Sequence, residues 1–459
     1  MTTQAIAPEI FKAYDIRGIV DKSLTESVTR IIGYWLGRTA VEANCHTIVV
    51  GRDGRLSGLR LLTALAEGMR DGGANVIDIG VVATPMVYFA AIEYATHCGV
   101  MVTGSHNPPD YNGLKMVIGG QTLAGDAIQT LRGRTELAMQ AAATRGTFES
   151  RNIAPTYLNR ILSDVKISRK MKIIVDCGNG SPGAFAPELY ERMGCEVVPL
   201  FCDVDGNFPN HHPDPSQPKN LQDVIHALKT TNAEIGLAFD GDGDRLGVVT
   251  KSGEIIFPDR QLMLFAADVL SRVPGGEIIF DVKSSRNLFK WIRDHGGKPT
   301  LWKTGHSLIK AKMKETGAPL AGEMSGHVFF KERWFGFDDG LYAGARLLEI
   351  ISKFANANAP LEALPNAICT PELNIKMNEG EPHALIARLQ AEAKFPGADE
   401  IITIDGVRVE FPDGFGLARA SNTTPVVVLR FEAETQVALD RIQDTFRTAL
   451  AVLKPGLTF

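Results

Sequence analysis

The feature that most constrains the fold of this chain is a threefold repeat of strand–turn–helix segments within residues 1–366. Each repeat opens with a β-branched apolar run that meets a polar turn, and a stretch with helical character follows. The opening segments are HTIVVGRDGR from His46, KIIVDCGNGS from Lys172 and EIIFDVKSSR from Glu277. This order of elements is typical of parallel sheets, because parallel strands need a crossover connection that is usually a helix. The sequence therefore predicts three similar α/β domains with mixed, mainly parallel sheets.

Two further strand-like runs complete each repeat. The second runs are NVIDIG from Asn75, EVVPLF from Glu196 and KPTLWKTG from Lys298. The third runs end in polar loops: GVMVTGSHNP from Gly99, IGLAFDGDGDR from Ile235 and PLAGEMSGH from Pro319. Open parallel sheets bind ligands just beyond the carboxyl ends of their strands. We therefore expect these three loops to converge on one shared site.

The pattern changes after residue 366. The segments TPELNIKM, EIITIDGVRVEF and ARASNTTPVVVLRFEA are strand-like, and helical stretches near residues 382–394 and at the C-terminus accompany them. This mixture predicts a smaller α+β domain with an antiparallel sheet. The predicted domains are 1–150, 151–254, 255–366 and 367–459.

Charge and composition exclude several classes of function. A formal charge of -5 over 459 residues, with no basic block, argues against a nucleic-acid-binding surface. No apolar run of about 18 residues and no secretory signal are found. We therefore expect a soluble protein that lies in the cytoplasm and does not contact a membrane. The six cysteines form no C-x-x-C pair, which is consistent with reduced thiols there.

The sharpest local motif is Asp240-Gly-Asp242-Gly-Asp244-Arg245. Its alternating glycines let three carboxylates face one point, and clustered carboxylates of this kind favour a cation. A solvated acidic turn is the plainer alternative. A calcium-binding EF-hand is disfavoured because its sixth position requires Gly and its twelfth Glu, where this chain has Arg245 and Lys251. The motif suits Mg²⁺ whose remaining ligands are water or a phosphoryl oxygen.

Ser105 lies in the polar loop TGSHNP, where Gly104 permits a tight turn. We expect an accessible hydroxyl there. The nucleophile elbow of α/β-hydrolases, G-x-S-x-G, requires Gly two residues before and two residues after the serine. It is excluded because these positions hold Thr103 and Asn107. Taken alone, the segment also fits an ordinary Ser or Asx turn. Its place opposite the aspartate loop favours a catalytic serine.

Other polar groups stand where they can serve the same site. Lys115 follows the serine loop closely and offers a point charge or a proton carrier. Glu323, Ser325 and His327 in GEMSGH offer donors and acceptors for sugar hydroxyls, although a polar β-turn would have the same composition.

The fourth domain carries a candidate phosphate-binding loop. It combines a fork-shaped cation with neutral donors: Arg419, Ser421, Asn422, Thr423 and Thr424. A hydrophilic hairpin loop is the alternative interpretation. The chain contains neither a nucleotide P-loop nor a dinucleotide fingerprint, so phosphate chemistry here would not use them.

The loops TGSHNPPDYNGLK, FDGDGDR, GEMSGH and RASNTT, in this order, closely resemble those of the α-D-phosphohexomutase family. With Met at its third position, GEMSGH resembles the corresponding loop of the phosphomannomutase/phosphoglucomutase branch of this family. The resemblance spans nearly all of the chain. It implies four domains in a heart shape around a central cleft, with the first three alike and the fourth a mobile lid.

The resemblance also implies roles for individual residues. Ser105 would be the phosphoserine, and Asp240, Asp242 and Asp244 would bind Mg²⁺ together with the phosphate on Ser105, beside Arg245. Glu323 and Ser325 would hold sugar hydroxyls. Arg419, Ser421, Asn422 and Thr423 would hold the phosphate that is not reacting. The remaining matches line the cleft: Tyr14, Arg17, His106, Lys115, Lys283, His306 and His327.

We therefore expect a monomeric phosphohexomutase that interconverts hexose 1-phosphate and hexose 6-phosphate, of mannose or glucose, through a 1,6-bisphosphate. Mg²⁺ and Arg245 would neutralise charge on the moving group, and Lys115, ahead of His106, would accept the proton of the attacking hydroxyl. Two alternatives stay open at this point. One is a phosphoglucosamine mutase, and the other is a non-catalytic protein that binds sugar phosphate or calcium.

Overall fold

The structure is a computed structural model, and it describes residues 6–140 and 142–459. It contains four sheets of seven, five, four and six strands, which follow one another along the chain. No strand of one sheet pairs with a strand of another within the described residues. This arrangement agrees with a chain built from consecutive units.

The elements of the four units are as follows. The first contains β1 (Ile16–Ile19), α1 (Glu26–Glu42), β2 (Thr47–Arg52), α2 (Gly58–Asp71), β3 (Asn75–Val81), α3 (Thr84–Glu93), β4 (Gly99–Val102), β5 (Tyr111–Ile118), β6 (Gln121–Thr122), α4 (Asp126–Thr135) and β7 (Phe148–Ser150). The second contains α5 (Ala154–Asp164), β8 (Lys172–Asp176), α6 (Ala186–Arg192), β9 (Glu196–Leu200), α7 (Gln222–Thr230), β10 (Ile235–Phe239), β11 (Leu246–Thr250) and β12 (Ile255–Ile256). The third contains α8 (Pro258–Leu270), β13 (Glu277–Asp281), α9 (Asn287–Asp294), β14 (Lys298–Trp302), α10 (His306–Thr316), β15 (Leu320–Gly322), β16 (Val328–Phe330), α11 (Gly340–Ile351) and α12 (Ala359–Glu362). The fourth contains β17 (Ile368–Cys369), β18 (Leu373–Lys376), α13 (Glu381–Glu392), β19 (Glu400–Ile402), β20 (Val407–Phe411), β21 (Gly414–Ala420), β22 (Val426–Ala433) and α14 (Gln436–Leu453). Across these described segments, no helix combines the length and the apolar character needed to cross a bilayer.

The first three sheets share one strand order, which confirms the predicted repeat. The opening strand of each repeat (β2, β8 or β13) lies between the second (β3, β9 or β14) and the third (β4, β10 or β15), and all three run parallel. An antiparallel strand (β5, β11 or β16) then pairs with the third. The polar loops that follow β4, β10 and β15 are therefore equivalent in position. Each lies at the carboxyl end of its sheet.

The fourth sheet is antiparallel, as predicted for an α+β domain. Its order is β17-β22-β21-β20-β19, with β18 also paired to β22. Helices α13 and α14 pack on it through one apolar cluster. The long pair β21 and β22 is joined by a turn, so residues 421–425 project from one end of the sheet.

The second sheet continues past the predicted boundary at residue 254. The short strand β12 (Ile255–Ile256) pairs with β11, and α8 begins directly after it at Pro258. The three domain boundaries at 150, 254 and 366 stay predictions.

Helix α11 is buried along its whole length. Every residue of Gly340–Ile351 is buried, so the helix has no polar face to water. Asp339 caps its start and accepts hydrogen bonds from the backbone N–H of Tyr342 (2.9 Å), the hydroxyl of Tyr157 (2.9 Å) and the indole N–H of Trp334 (3.2 Å). Burial raises the pKa of the Asp339 carboxyl from 3.8 to about 7 despite these donors.

Candidate active site

Loops of all four sheets line one cleft with a volume of about 1020 Å³. Fifteen of the predicted site residues line it: Tyr14, Arg17, Ser105, His106, Lys115, Arg245, Lys283, His306, Glu323, Ser325, His327, Arg419, Ser421, Asn422 and Thr423. The aspartates Asp240, Asp242 and Asp244 have no exposed surface and lie behind this lining, against Ser105 and Lys115. The predicted convergence of the loops is therefore present.

Ser105 follows β4 and adopts a left-handed backbone conformation, with a φ of 49°. Its Oγ lies 3.0 Å from Oδ2 of Asp240 and 3.2 Å from Nδ1 of His106. Only 1% of the residue is exposed, so the hydroxyl is not accessible on an open turn as the sequence suggested. It lines the cleft instead, and a reacting group would have to reach it from there.

The three aspartates of the β10–β11 turn bring a carboxylate oxygen each to within 4.8 Å of one another. Oδ1 of Asp242 is buried without a hydrogen-bond partner in the described part of the chain, and Oδ1 of Asp244 has only the ring nitrogen Nε2 of His327 beside it, at 3.2 Å. Burial, followed by the charges of Asp244 and Asp242, raises the pKa of Asp240 well above its ordinary value. An unpartnered carboxylate oxygen and mutual repulsion are what a bound cation would relieve, so these residues fit a hard divalent ion.

Lys115 lies on β5, in the hairpin that returns from the serine loop. Its Nζ contacts Oδ2 of Asp242 at 2.8 Å and Oδ2 of Asp244 at 2.5 Å. Burial alone would lower the pKa of this ammonium, but the two carboxylates raise it well above its ordinary value. Lys115 therefore lies as a cation between two of the aspartates and neutralises part of their charge.

His106 differs from Lys115 in charge. Burial, and then the cations Arg245 and Arg17, hold the pKa of its imidazole well below the ordinary value. The ring is therefore neutral, with Nδ1 3.2 Å from Oγ of Ser105. This geometry places His106 to exchange a proton with the serine oxygen.

Glu323, Ser325 and His327 form the turn after β15. Oε1 of Glu323 accepts the backbone N–H of Gly305 at 2.5 Å, and Oε2 lies 3.0 Å from Nδ1 of His327. Oγ of Ser325 is also 3.0 Å from that nitrogen. Both oxygens of Glu323 thus have partners within the protein.

His327 connects this turn to the aspartate loop. Its Nε2 lies 3.2 Å from Oδ1 of Asp244, and the backbones of His327 and Arg245 form an isolated bridge. Burial opposes a charge on the ring, but Asp244 and Glu323 outweigh it and raise the pKa of His327 to about 9. A protonated Nε2 donates to Asp244 and cannot accept from Nε of Arg245, although that atom is only 3.2 Å away.

Arg419 lies near the end of β21 with 4% of its surface exposed. Its Nε donates to Oδ2 of Asp405 at 3.1 Å, and its Nη2 is buried without a partner among residues 6–140 and 142–459. Ser421 binds the hydroxyls of Thr423 (3.3 Å) and Thr424 (3.1 Å) within the adjoining turn. Arg419 and these three residues of the turn all line the cleft. The group is suited to an anionic oxygen.

The fourth unit touches the first across the cleft. The side-chain amide of Asn422 donates to Oη of Tyr14, which in turn donates to the backbone carbonyl of Thr304 at 2.6 Å. Oδ2 of Asp405 also accepts the backbone N–H of Thr304 at 2.9 Å. These contacts join the fourth unit, which carries the candidate phosphate-binding loop, to the first and third units.

The remaining predicted residues lie beside acidic or amide side chains. Arg17 contacts Oδ2 of Asp15 at 2.5 Å and also donates to the side chain of Asn107. Nζ of Lys283 lies 3.1 Å from Oε2 of Glu372. Nδ1 of His306 lies 3.5 Å from Oδ2 of Asp338.

Sequence reasoning missed several residues that contact the predicted ones. Asp405 pairs with Arg419 and Glu372 with Lys283, but both acidic residues lie outside the motifs of their partners, 14 and 89 residues away in the chain. Asp53 and Arg55 grip the serine loop from the turn after β2. A signal for this last pair was available, because GRDGR occupies the carboxyl end of the first strand of its repeat.

Comparison with known proteins gives the same picture over nearly the whole chain. Four domain models of phosphoglucomutase/phosphomannomutase match: alpha/beta/alpha domain I at residues 8–141, domain II at 155–253, domain III at 257–369, and the C-terminal domain at 372–449. A phosphoglucomutase of Neisseria meningitidis is 61% identical over 97% of each chain. A phosphomannomutase/phosphoglucomutase of Pseudomonas aeruginosa is 55% identical, covering 98% of this chain and 96% of the other.

A solved structure agrees with the fold. The crystal structure of a phosphoglucomutase/phosphomannomutase family protein from Burkholderia thailandensis superposes with a TM-score of 0.93 at 57% identity, over 99% of both chains. Together with the cleft, the buried aspartates and the serine beside them, these matches show that the chain belongs to the phosphoglucomutase/phosphomannomutase family.

Proposed function

We propose that this chain is a phosphohexomutase that interconverts hexose 1-phosphate and hexose 6-phosphate, of glucose or mannose, through phospho-Ser105 and a hexose 1,6-bisphosphate. One observation carries the proposal: Oγ of Ser105 lies in the cleft, 3.0 Å from a carboxylate of the buried aspartate cluster. A serine oxygen beside a cation-binding group is suited to carry a phosphoryl group. The names of the relatives, phosphoglucomutase and phosphomannomutase/phosphoglucomutase, support the same reaction and substrates.

In the first half-reaction, the free sugar hydroxyl attacks the phosphorus on Ser105. A bond forms between the sugar oxygen and phosphorus, the bond from phosphorus to Oγ breaks, and one proton passes overall from the sugar hydroxyl to Oγ. We assign the proton exchange at Oγ to the neutral ring of His106, at 3.2 Å, and charge neutralisation to Lys115 and Arg245. The bisphosphate then turns over and returns its other phosphate to Ser105.

We propose Mg²⁺ as the ion of the aspartate cluster, with Asp240, Asp242, Asp244 and the phosphorylated Ser105 as its ligands. Oxygen ligands of this kind, with a phosphoryl oxygen among them, suit Mg²⁺. When bound, the ion would neutralise charge on the transferring group. Glu323 and Ser325 are proposed to bind the sugar hydroxyls, and Arg419, Ser421, Asn422 and Thr423 the second phosphate.

The wider setting follows from the same features. A single chain supplies every wall of the cleft, so we propose a monomer as the working unit. All six cysteines are unpaired, which supports a reducing compartment such as the cytoplasm.

The test is a coupled assay with the 1- and 6-phosphates of glucose and mannose, together with glucosamine 6-phosphate. We expect turnover of the first four, and loss of at least about 10³-fold in Ser105→Ala. Intact mass should show one phosphate on the wild-type chain and none on the variant. Ser352→Ala is the matched control, because Ser352 is equally buried but hydrogen-bonds to Glu349 and Ser168 away from the cleft. Near-normal activity in Ser105→Ala would contradict the proposal, and turnover of glucosamine 6-phosphate alone would favour the phosphoglucosamine mutase.

A further inference from the structure

Arg55, in the turn after β2, uses both terminal nitrogens of its guanidinium to hold the serine loop. The residue is 1% exposed, and its Nε donates to Oδ2 of Asp53 at 3.1 Å. The two terminal nitrogens donate to four backbone carbonyls of one loop: Ser105 (2.9 Å), Asn107 (2.6 Å), Pro108 (2.5 Å) and Tyr111 (2.9 Å). An arginine has five N–H donors, and each is used here. Arg55 therefore has no donor left for a ligand.

Asp53 holds the two residues that precede Ser105. Its Oδ2 accepts the hydroxyl of Thr103 at 2.8 Å and the backbone N–H of Gly104 at 3.2 Å. Oγ1 of Thr103 in turn accepts the backbone N–H of Ser105 at 2.8 Å. The N–H of Ser105 is thus tied to Asp53 through one hydroxyl, while its carbonyl is tied directly to Arg55.

These contacts hold a backbone conformation that Ser105 would not adopt freely. Its φ of 49° lies in the left-handed region, which is unfavourable for a residue with a Cβ and persists only where the surroundings impose it. That conformation sets the direction in which the Cα–Cβ bond leaves the backbone, and so the position of Oγ relative to Asp240. Relaxation of the loop would move Oγ away from the aspartate cluster.

Residues of the second unit pack against Arg55 and the turn that carries it. The ring of Phe208 lies 5.2 Å from Cζ of Arg55, and a Cβ on Gly206 would meet the carbonyl of Gly54 at 2.6 Å. Gly104 is equally constrained, because a Cβ there would lie 2.5 Å from Cζ of Arg55. Hydrogen bonds from a buried guanidinium are stronger than the same bonds in water.

We propose that Arg55, acting with Asp53 and Thr103, is a positioning residue for phosphoryl transfer: it fixes the left-handed turn that holds the oxygen of Ser105 at the aspartate cluster. This inference rests on the proposed mutase function. Arg55 touches neither substrate nor the transferring group, and its effect passes through the backbone of the loop. This effect does not extend to the candidate phosphate-binding loop of the fourth unit.

The first test replaces the fork by a single ammonium in Arg55→Lys. We expect kcat for glucose 1-phosphate to fall by about 10²-fold, because small misplacements of a reacting group cost rate on this scale. KM should stay within about threefold of wild type, since the proposed clamp at Arg419 is intact. Transfer of phosphate from glucose 1,6-bisphosphate to Ser105, followed by intact mass, should slow in parallel. Arg346→Lys is the matched control, because Arg346 is also fully buried but contacts Asp268 and Glu332.

The second test does not depend on the folding of Arg55→Lys. Thr103→Val removes the hydroxyl between Ser105 and Asp53 with little change of shape, whereas Thr103→Ser keeps it. We expect at least about a tenfold lower kcat in the valine variant, an unchanged KM, and recovery in the serine variant. A merely structural role would change stability in both variants without separating kcat from KM.

The outcomes distinguish this inference from the function on which it rests. An inactive wild-type enzyme in the same assay would contradict the mutase function itself. An active wild type with a folded Arg55→Lys variant that retains kcat within about threefold, or that loses only KM, overturns the positioning role. Equal kcat in Thr103→Val and Thr103→Ser overturns it as well.

Discussion

Replacing Arg419 by alanine should weaken binding of both hexose monophosphates to the same extent. Only 4% of the surface of Arg419 is exposed. Its Nε donates a hydrogen bond to Asp405, whereas its Nη2 is buried without a partner among the described residues. We propose that this buried donor binds an anionic oxygen of the ligand. If the bisphosphate turns over in place, the clamp must hold the 6-phosphate in one orientation and the 1-phosphate in the other.

The size of the effect follows from the contact that is lost. A hydrogen bond between a guanidinium and a phosphate is worth about 1.5–3 kcal/mol, which corresponds to about 10- to 150-fold in affinity. The removal of Arg419 also leaves Asp405 with only the backbone N–H of Thr304, at 2.9 Å, which adds a cost to closure of the fourth unit. We therefore expect the upper half of this range for both ligands.

The assay is calorimetric binding of glucose 1-phosphate and glucose 6-phosphate, each measured separately in wild type and Arg419→Ala. Equilibrium binding is required because the overall equilibrium constant already fixes the ratio of forward to reverse kcat/KM. Arg388→Ala is a suitable control, since Arg388 lies on α13 of the same unit and pairs with Glu392 on its exposed face. Loss of affinity for only one of the two ligands would refute the shared clamp and the turnover in place.

Three further predictions concern the metal, the buried carboxyl and the serine loop. Chelation should abolish activity and Mg²⁺ should restore it, with a higher Mg²⁺ requirement in Asp242→Asn; activity in excess chelator would count against the metal site. Because the folded-state pKa of Asp339 is raised from 3.8 to about 7, the folded protein binds its proton more tightly than the unfolded chain. Its contribution to the free energy of unfolding is therefore complete below pH 3.8 and is lost as the pH rises through 7, so urea unfolding between pH 4 and 7 should show a decline that Asp339→Asn removes. Gly104→Ala should lower kcat with little change in KM, because its Cβ would lie 2.5 Å from Cζ of Arg55; wild-type kcat would show that the loop tolerates displacement.

The sequence by itself was sufficient for the repeat and for the chemistry of its loops. Strands such as β2, β8 and β13 are encoded by short β-branched runs between turn residues, and these signals are local. The equivalent position of the loops after β4, β10 and β15 followed from the repeat, because strands at the same place in similar sheets end at the same edge. The sequence alone therefore predicts that the candidate serine and the aspartate cluster lie together.

Only the tertiary structure decided how those groups pair. Lys115 contacts Asp242 and Asp244, more than a hundred residues further along the chain, and these two carboxylates raise the pKa of its ammonium well above the ordinary value. Burial of Ser105 to 1% exposure and the grip of Arg55 on its carbonyl depend likewise on the packing of separate units against one another. Periodicity shows which face of an element is buried but not which distant side chain lies opposite. The charge state of a side chain depends on that neighbour and on the degree of burial, so it is decided only in the folded chain.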